Sequence, residues 1–228
     1  MTAPGWRLAA DERSVRFSPV WFRLIDDLTG LSPAGPVLVR LEEQEGAGWR
    51  PIDMPATLTT AGMVAFPGLE RRRETAGVPS RRYRARAEAE FYRPLYREEA
   101  GGLEFDALPH NDDVQPPAPA QIEMVLLPSV TYPYAAYIRT LRGIVHNQAG
   151  APLEDVLVRT QSQVGSVTVL ERTLTDDRGA FTLALRWVAP GSAASVTATD
   201  LRSQRSAVVT VSVPDDLDHS QLIIIPGQ

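Results

Sequence analysis

Three histidines, His110, His146 and His219, are the only imidazoles in a 228-residue chain that contains no cysteine and no lysine. Their spacing matches no metal-ligand pattern and no His-Glu-x-x-His motif, and each falls in a segment expected to be a solvated loop. Around the first of them, Glu104-Phe105-Asp106-Ala107-Leu108-Pro109-His110-Asn111-Asp112-Asp113 gathers oxygen ligands beside one imidazole. That composition is open to calcium or a transition ion, and through it to a metal-dependent hydrolase. The order fits no EF-hand, so the expectation is a solvated acidic loop without a metal. No Gly-x-Ser-x-Gly elbow occurs. The paired acids Glu42-Glu43, Asp26-Asp27 and Asp215-Asp216 are sequence neighbours, which a strand points to opposite faces. Without lysine there is no Schiff base and no Walker lysine, and without cysteine no thiolate, disulfide or thiolate zinc site. No catalytic, cofactor-binding or metal residue is assigned, and a non-enzyme is expected.

All 23 basic side chains are arginine, and seven of them fall between Arg71 and Arg86. A phosphate groove is one reading of such density. Acids stand among or beside them at Glu70, Glu74, Glu88 and Glu90, and residues 1–138 carry 15 arginines against 19 acids. The whole chain has net charge −5. No nucleic-acid partner is therefore expected, and Arg71, Arg72, Arg73 and Arg81 are assigned to a protein interface, where arginine is enriched. Tyr92, Tyr96 and Trp187 could grip a partner chain or stack on a sugar, which leaves a carbohydrate- or surface-binding module as an alternative. Tyr132, Tyr134 and Tyr137 make the stretch between the two halves too apolar for a loose tether, and are expected to pack between them.

The elements that must position these groups are strands. From Arg82 to Phe91 the even positions are charged and the odd ones are Tyr, Ala, Ala, Ala and Phe, a period of two with one wet face. Similar runs at 20–25, 37–41, 122–127, 141–145, 156–158, 167–170, 180–185, 195–199, 207–213 and 222–225 are mostly separated by Gly, Pro, Asn or Asp, as in a sandwich or barrel. Three segments recur in order: LIDDLTGLSPAGPVLVR (24–40) with IVHNQAGAPLEDVLVR (144–159), ending in the shared VLVR, then TLTTAGMVAF (57–66) with TLTDDRGAF (173–181), and IEMVLLPS (122–129) with QLIIIPG (221–227). Gly179 suits the left-handed position of a hairpin turn. The closing Val-Leu-Leu-Pro and Ile-Ile-Ile-Pro runs are expected to be buried strands ended by proline. The reading is an all-β chain with an N-terminal extension (1–18), a diverged β-sandwich domain with insertions near 70–80 and 97–120 (19–129), a linker (130–138) and a second β-sandwich domain (139–228).

The second copy resembles the carboxypeptidase regulatory-like domains. The pieces that carry the likeness are Gly143-Ile144-Val145, Gly150-Ala151-Pro152-Leu153, Val156-Leu157-Val158, the run Thr173 to Phe181 with its Thr-x-x-Asp-x-x-Gly-x-Phe pattern, and Leu222 to Ile225. The first copy departs further, since Thr60-Ala61-Gly62 lacks the acidic turn. The resemblance implies two tandem transthyretin-like/Ig-like β-sandwich domains and an accessory or structural role. Such domains occur in phage-tail-like contractile injection systems, so it further implies a structural, protein-binding subunit, an accessory component of such a particle. The partners would be other proteins of a multi-subunit assembly, with the chain an oligomer or assembly-bound. With no apolar run of signal-peptide or membrane-span length, the expected setting is cytoplasmic, within an assembled particle, with no membrane insertion.

Overall fold

The computed structural model describes residues 17–96, 101–111, 113 and 118–227. Outside that set lie the expected N-terminal extension up to residue 16, Arg97, Asp112 and the Pro116-Pro117 pair. The alternating runs become strands. In the first half these are β1 (Val20–Asp26), β2 (Val37–Glu45), β3 (Gly48–Ile52), β4 (Thr57–Leu58), β5 (Met63–Ala65), β6 (Arg81–Ala89), β7 (Tyr92–Pro94), β8 (Leu103–Ala107) and β9 (Ala120–Pro128). The second half has β10 (Thr140–Asn147), β11 (Val156–Val164), β12 (Val167–Leu174), β13 (Ala180–Ala184), β14 (Ala193–Asp200), β15 (Ser206–Ser212) and β16 (Gln221–Ile225), with a 3-10 turn at Asp215–Asp218.

These strands build two β-sandwiches in tandem. The first stacks β4-β5-β1-β9-β7 on β3-β2-β6-β8, and the second stacks β13-β10-β16 on β12-β11-β14-β15. With β4 and β7 set aside, the two orders are the same: β5-β1-β9 answers β13-β10-β16, and β3-β2-β6-β8 answers β12-β11-β14-β15. In each, the first and last strands run parallel, β1 with β9 and β10 with β16. The first core centres on Phe22, Phe66, Tyr83, Phe105, Met124 and Leu126, with Phe22 edge-on to Phe66 and Phe105. The second centres on Leu141, Val158, Phe181, Leu183, Val196 and Ile223. Burying each large apolar side chain contributes roughly 1.5–3 kcal/mol.

The repeated letters sit one residue out of phase with the faces in the parallel strands. Leu24 points inward beside Met124, whereas its letter match Ile144 points outward and Val145, beside Ile223, takes the inward place. A one-residue shift turns every side chain over. The connections absorb it, residues 27–36 in the first copy against 148–155 in the second. In β2 and β11 the phase is restored, with Val39 and Val158 both buried.

Three local expectations change. Leu103–Ala107 lies in the stretch read as an insertion and acidic loop, yet it is strand β8, because Leu-Glu-Phe-Asp-Ala alternates and pairs with β6. His146 stands on β10 and not in a loop. His110 is buried, because Pro109-His110 returns alongside Glu70–Arg72: His110 N donates to Glu70 O (3.0 Å) and Arg72 N to His110 O (2.9 Å).

The sandwiches are tied by polar contacts that pair far-apart sequence. Arg172 grips Asp27 with two guanidinium nitrogens, and Arg186 Nη1 donates to Leu28 O at 2.6 Å. Thr173 Oγ1 donates to Pro128 O (2.7 Å), and Arg93 Nη2 reaches Glu154 (2.8 Å) and Asp155 (2.7 Å). The side of the second sandwich formed by β12 and β13 therefore faces the first. The β15 and β16 side faces away.

Candidate functional site

The arginine-dense stretch is a charge ladder. On the outer face of β3-β2-β6-β8, Arg82 bonds Glu104 (Nε, 2.9 Å), Arg84 bonds Glu42 (2.6 Å) and lies 4.7 Å over the Trp49 ring, Arg86 stands 3.7 Å from Glu42, and Arg40 pairs with Glu88 (3.1 Å). Opposite charges on neighbouring strands stabilise the pairing. At the end of the sandwich, Arg72 (Nε, 2.8 Å), Arg81 and Tyr83 converge on the buried Glu70, and Arg81 also bonds Glu43. Glu70 holds a left-handed backbone, φ 60°, a sparsely populated state for a non-glycine residue that the surrounding contacts stabilise. The bond to Glu70 raises the Arg72 pKa further. Of the four arginines assigned to an interface, Arg72 and Arg81 are thus joined at one carboxylate. Arg71 and Arg73 are exposed, and Arg73 O accepts from Asn111 Nδ2 (3.1 Å).

In the acidic segment around His110, contacts are made by one carboxylate and by the imidazole ring. Glu104 is bound to Arg82, and the His110 ring packs edge-on at 4.7 Å from Phe17. Among the described residues no three His, Asp or Glu side chains are grouped to hold a metal ion, and no helix is long and apolar enough to cross a membrane. A cleft of about 480 Å³ between the sandwiches is lined by Arg86, Glu88, Arg93, Tyr96, Asp155 and Arg202. Its charges are already paired, Arg93 across the gap with Glu154 and Asp155, and Arg202 within the second sandwich with Asp155 (3.2 Å).

Three of the six singled-out aromatics come together. Tyr92 is buried, and its hydroxyl accepts from Ala34 N (2.7 Å) and donates to Asp26 Oδ2 (3.2 Å). Tyr132 donates to the same oxygen (2.9 Å) and packs against Tyr92 and Tyr134, and Tyr134 donates to Thr182 O (3.1 Å) in the second sandwich. Tyr96 accepts from Ala87 N (2.7 Å) beside the cleft. Tyr137 is 88% exposed, and Trp187 is 47% exposed in the loop after β13. Tyr92, buried, offers no face to a sugar, so it cannot form a stacking platform with Trp187.

Burial raises the pKa of Tyr83, Tyr92, Tyr96, Tyr132 and Tyr134, reinforced at Tyr83 by the bond to Glu70 and at Tyr132 by the bond to Asp26. Unfolded tyrosines titrate near pH 10. Folded-state values above that make the stabilisation complete below about pH 10 and lost as pH rises toward the folded values. The expected result is that tyrosinate absorbance from these five appears together with loss of β-sheet circular dichroism. Ionisation of all five with the dichroism unchanged would contradict it.

The open side of the second sandwich is different in kind. Unpaired strand edges attract other chains, and folded proteins blunt them with charge, proline or brevity. Among the described sheets, β3 carries Arg50 and Pro51, β7 carries Arg93 and Pro94, β8 carries Glu104 and Asp106, and β4 has two residues. The edge β13 (AFTLA) also lacks charge and proline but lies on the side facing the first sandwich, where Tyr134 bonds Thr182 O; the two edges on the open side, β15 (SAVVTVS) and β16 (QLIII), carry neither charge nor proline and, among the described residues, have no such cover. Leu222 and Ile224 of β16 are 57% and 52% exposed, next to Ile144 of β10, which lies in register with Leu222. The closing Ile-Ile-Ile run was expected to be buried on both faces. Only Ile223 and Ile225 are buried, because no strand or sheet of the second sandwich covers the outer face. In the first copy the corresponding strand β9 has its outward Leu127 fully buried, with β7 paired antiparallel beside it.

No protein-family profile matches the chain, and no curated protein sequence matches it. Among solved structures it is similar to the Bacillus anthracis TIE protein, at 11% identity over 93% of this chain and 34% of that one, with a TM-score of 0.29. It is also similar to a streptococcal ancillary pilin, at 11% identity over 91% of this chain and 68% of that one, TM-score 0.27. A third is the shaft pilin spaA from Lactobacillus rhamnosus GG, at 9% identity over 92% and 98%, TM-score 0.29. The chain spans about a third of the length of the first of these. Overlaps this loose carry no argument about function.

Proposed function

We propose that the chain is a non-enzymatic structural subunit that binds other proteins through the open side of its second sandwich. The observation that carries this reading is β16, an uncharged aliphatic edge strand whose outward Leu222 and Ile224 stay in water. Pairing a further strand there satisfies the edge backbone groups and sets the partner's side chains beside Leu222 and Ile224, the pattern of strand addition. Several of the other named groups serve internal contacts: the carboxylates of Glu70 and Glu104 are bound by arginine, and the Tyr92 and Tyr132 hydroxyls by Asp26.

The finer form of the proposal is an accessory component of a phage-tail-like contractile injection particle. Its support is the carboxypeptidase regulatory-like resemblance of residues 139–228, together with two sandwiches tied to each other by the bonds of Arg172, Thr173 and Arg186. The test is gentle isolation of the native protein followed by sedimentation. The expected result is a chain that travels with a large assembly containing sheath, tube or baseplate proteins. A chain that travels only as a free monomer overturns the proposal, and one held in a large assembly of other composition overturns its finer form.

A further inference from the structure

We infer that the occupant of the β16 edge is a second copy of this chain, its own β16 laid antiparallel across a two-fold axis. The inference rests on the edge-docking reading above and names the partner at that site.

Four observations lead to it. First, β16 is aliphatic on both faces and uncharged along its free edge, so a strand laid beside it meets Leu222 and Ile224 best with aliphatic side chains of its own. Second, the molecule shows what this sheet position accepts. In the first sandwich β7 lies antiparallel to β9, pairing Arg93 with Leu127 and Pro94 with Leu126, and Leu95 N continues to Val125 O (2.9 Å). The strand equivalent to β15, namely β8, stays an edge in that copy, so β16 is the position that takes another strand.

Third, β16 is complementary to itself. Centred on Ile223, antiparallel pairing sets Leu222 against the partner's Ile224 and Gln221 against the partner's Ile225. Every outward residue then meets an outward one, as register requires, and a two-fold interface of this kind is closed. The result is a continuous sheet of six strands, β13-β10-β16 from each copy, with Ile144, Leu222 and Ile224 of both forming one apolar stripe. Fourth, charge favours the antiparallel sense. The 3-10 turn before β16 carries Asp215, Asp216 and Asp218, and antiparallel pairing puts the two acidic turns at opposite ends, where a parallel pair would put them side by side.

The test uses the full chain and sedimentation equilibrium over a range of concentrations. The expected result is a monomer–dimer equilibrium that Leu222→Lys with Ile224→Lys weakens by at least about tenfold, since lysines then face lysines across the axis. Both positions are more than half exposed, so circular dichroism should show the variant folded. Mixing it with a chain carrying Leu222→Glu and Ile224→Glu is expected to restore a one-to-one dimer, an outcome that requires the self-paired register. A wild-type chain that stays monomeric, or a dimer that the lysine pair leaves intact, overturns the inference. If β16 is nonetheless protected in the native assembly, another protein is the occupant and edge docking stands. If it is not, both readings fall.

Discussion

Arg186→Ala is expected to destabilise the protein by about 3–5 kcal/mol, because it strips a buried carboxylate of its cation. Glu171 has a side chain 1% exposed, on β12 facing the loop that follows β13. It accepts from Arg186 N (3.0 and 3.2 Å) and Arg186 Nε (2.8 Å), while Arg186 Nη1 crosses to Leu28 O in the first sandwich. One guanidinium thus neutralises the second sandwich's buried acid and holds a carbonyl of the other. Removing both partners is the control: Glu171→Met with Arg186→Leu is expected to recover most of the loss, since apolar replacement of a buried pair is often near neutral. Urea unfolding measures both. A single-variant loss below about 1 kcal/mol, the scale of an exposed pair, would contradict the account of Glu171.

Gly179→Ala is the second large effect, expected at roughly 2–5 kcal/mol from two additive causes. Gly179 holds φ 73°, where a β-carbon is strained, and that carbon would lie 2.4 Å from Val145 O and 3.2 Å from Leu153 N. Both contacts are backbone, so neither moves aside without breaking the bonds from Val145 N to Gly179 O (2.8 Å) and from Leu153 N to Val145 O (3.0 Å). Gly150 separates the causes. It has φ 82° and nothing within 4 Å of the added carbon, so Gly150→Ala should cost only the conformational part, about 1–2 kcal/mol. Equal losses at the two glycines would mean that the close approach to Val145 contributes nothing.

The all-β class was legible because period-two alternation is a local signal: Tyr83, Ala85 and Ala87 point inward from a charged strand as the letters imply. Repetition was legible in the order of segments but not in their phase, since two connections differ by two residues and nothing local reports which face Ile144 takes. Strand β8 had a usable signal, the alternation from Leu103 to Ala107, hidden by its acids, of which Glu104 bonds Arg82 on β6. Two of the ties between sandwiches, Arg172 with Asp27 and Arg186 with Leu28, join residues more than a hundred positions apart. Such pairs leave no trace in spacing. The β16 surface is the reverse case. Leu222-Ile223-Ile224-Ile225 plainly reads as a strand with two apolar faces, and only the three-dimensional arrangement reveals that one face has no cover within the described chain.

Hydrogen exchange along β16, compared between the native assembly and the free chain, tests edge docking most directly. The account predicts that the amides of Leu222 to Ile225 that point away from β10 exchange quickly in the free chain and become protected in the assembly, while those of the already guarded edge β3 do not change. Unchanged exchange along β16, with new protection on the charged face of β2 and β6 instead, would contradict it.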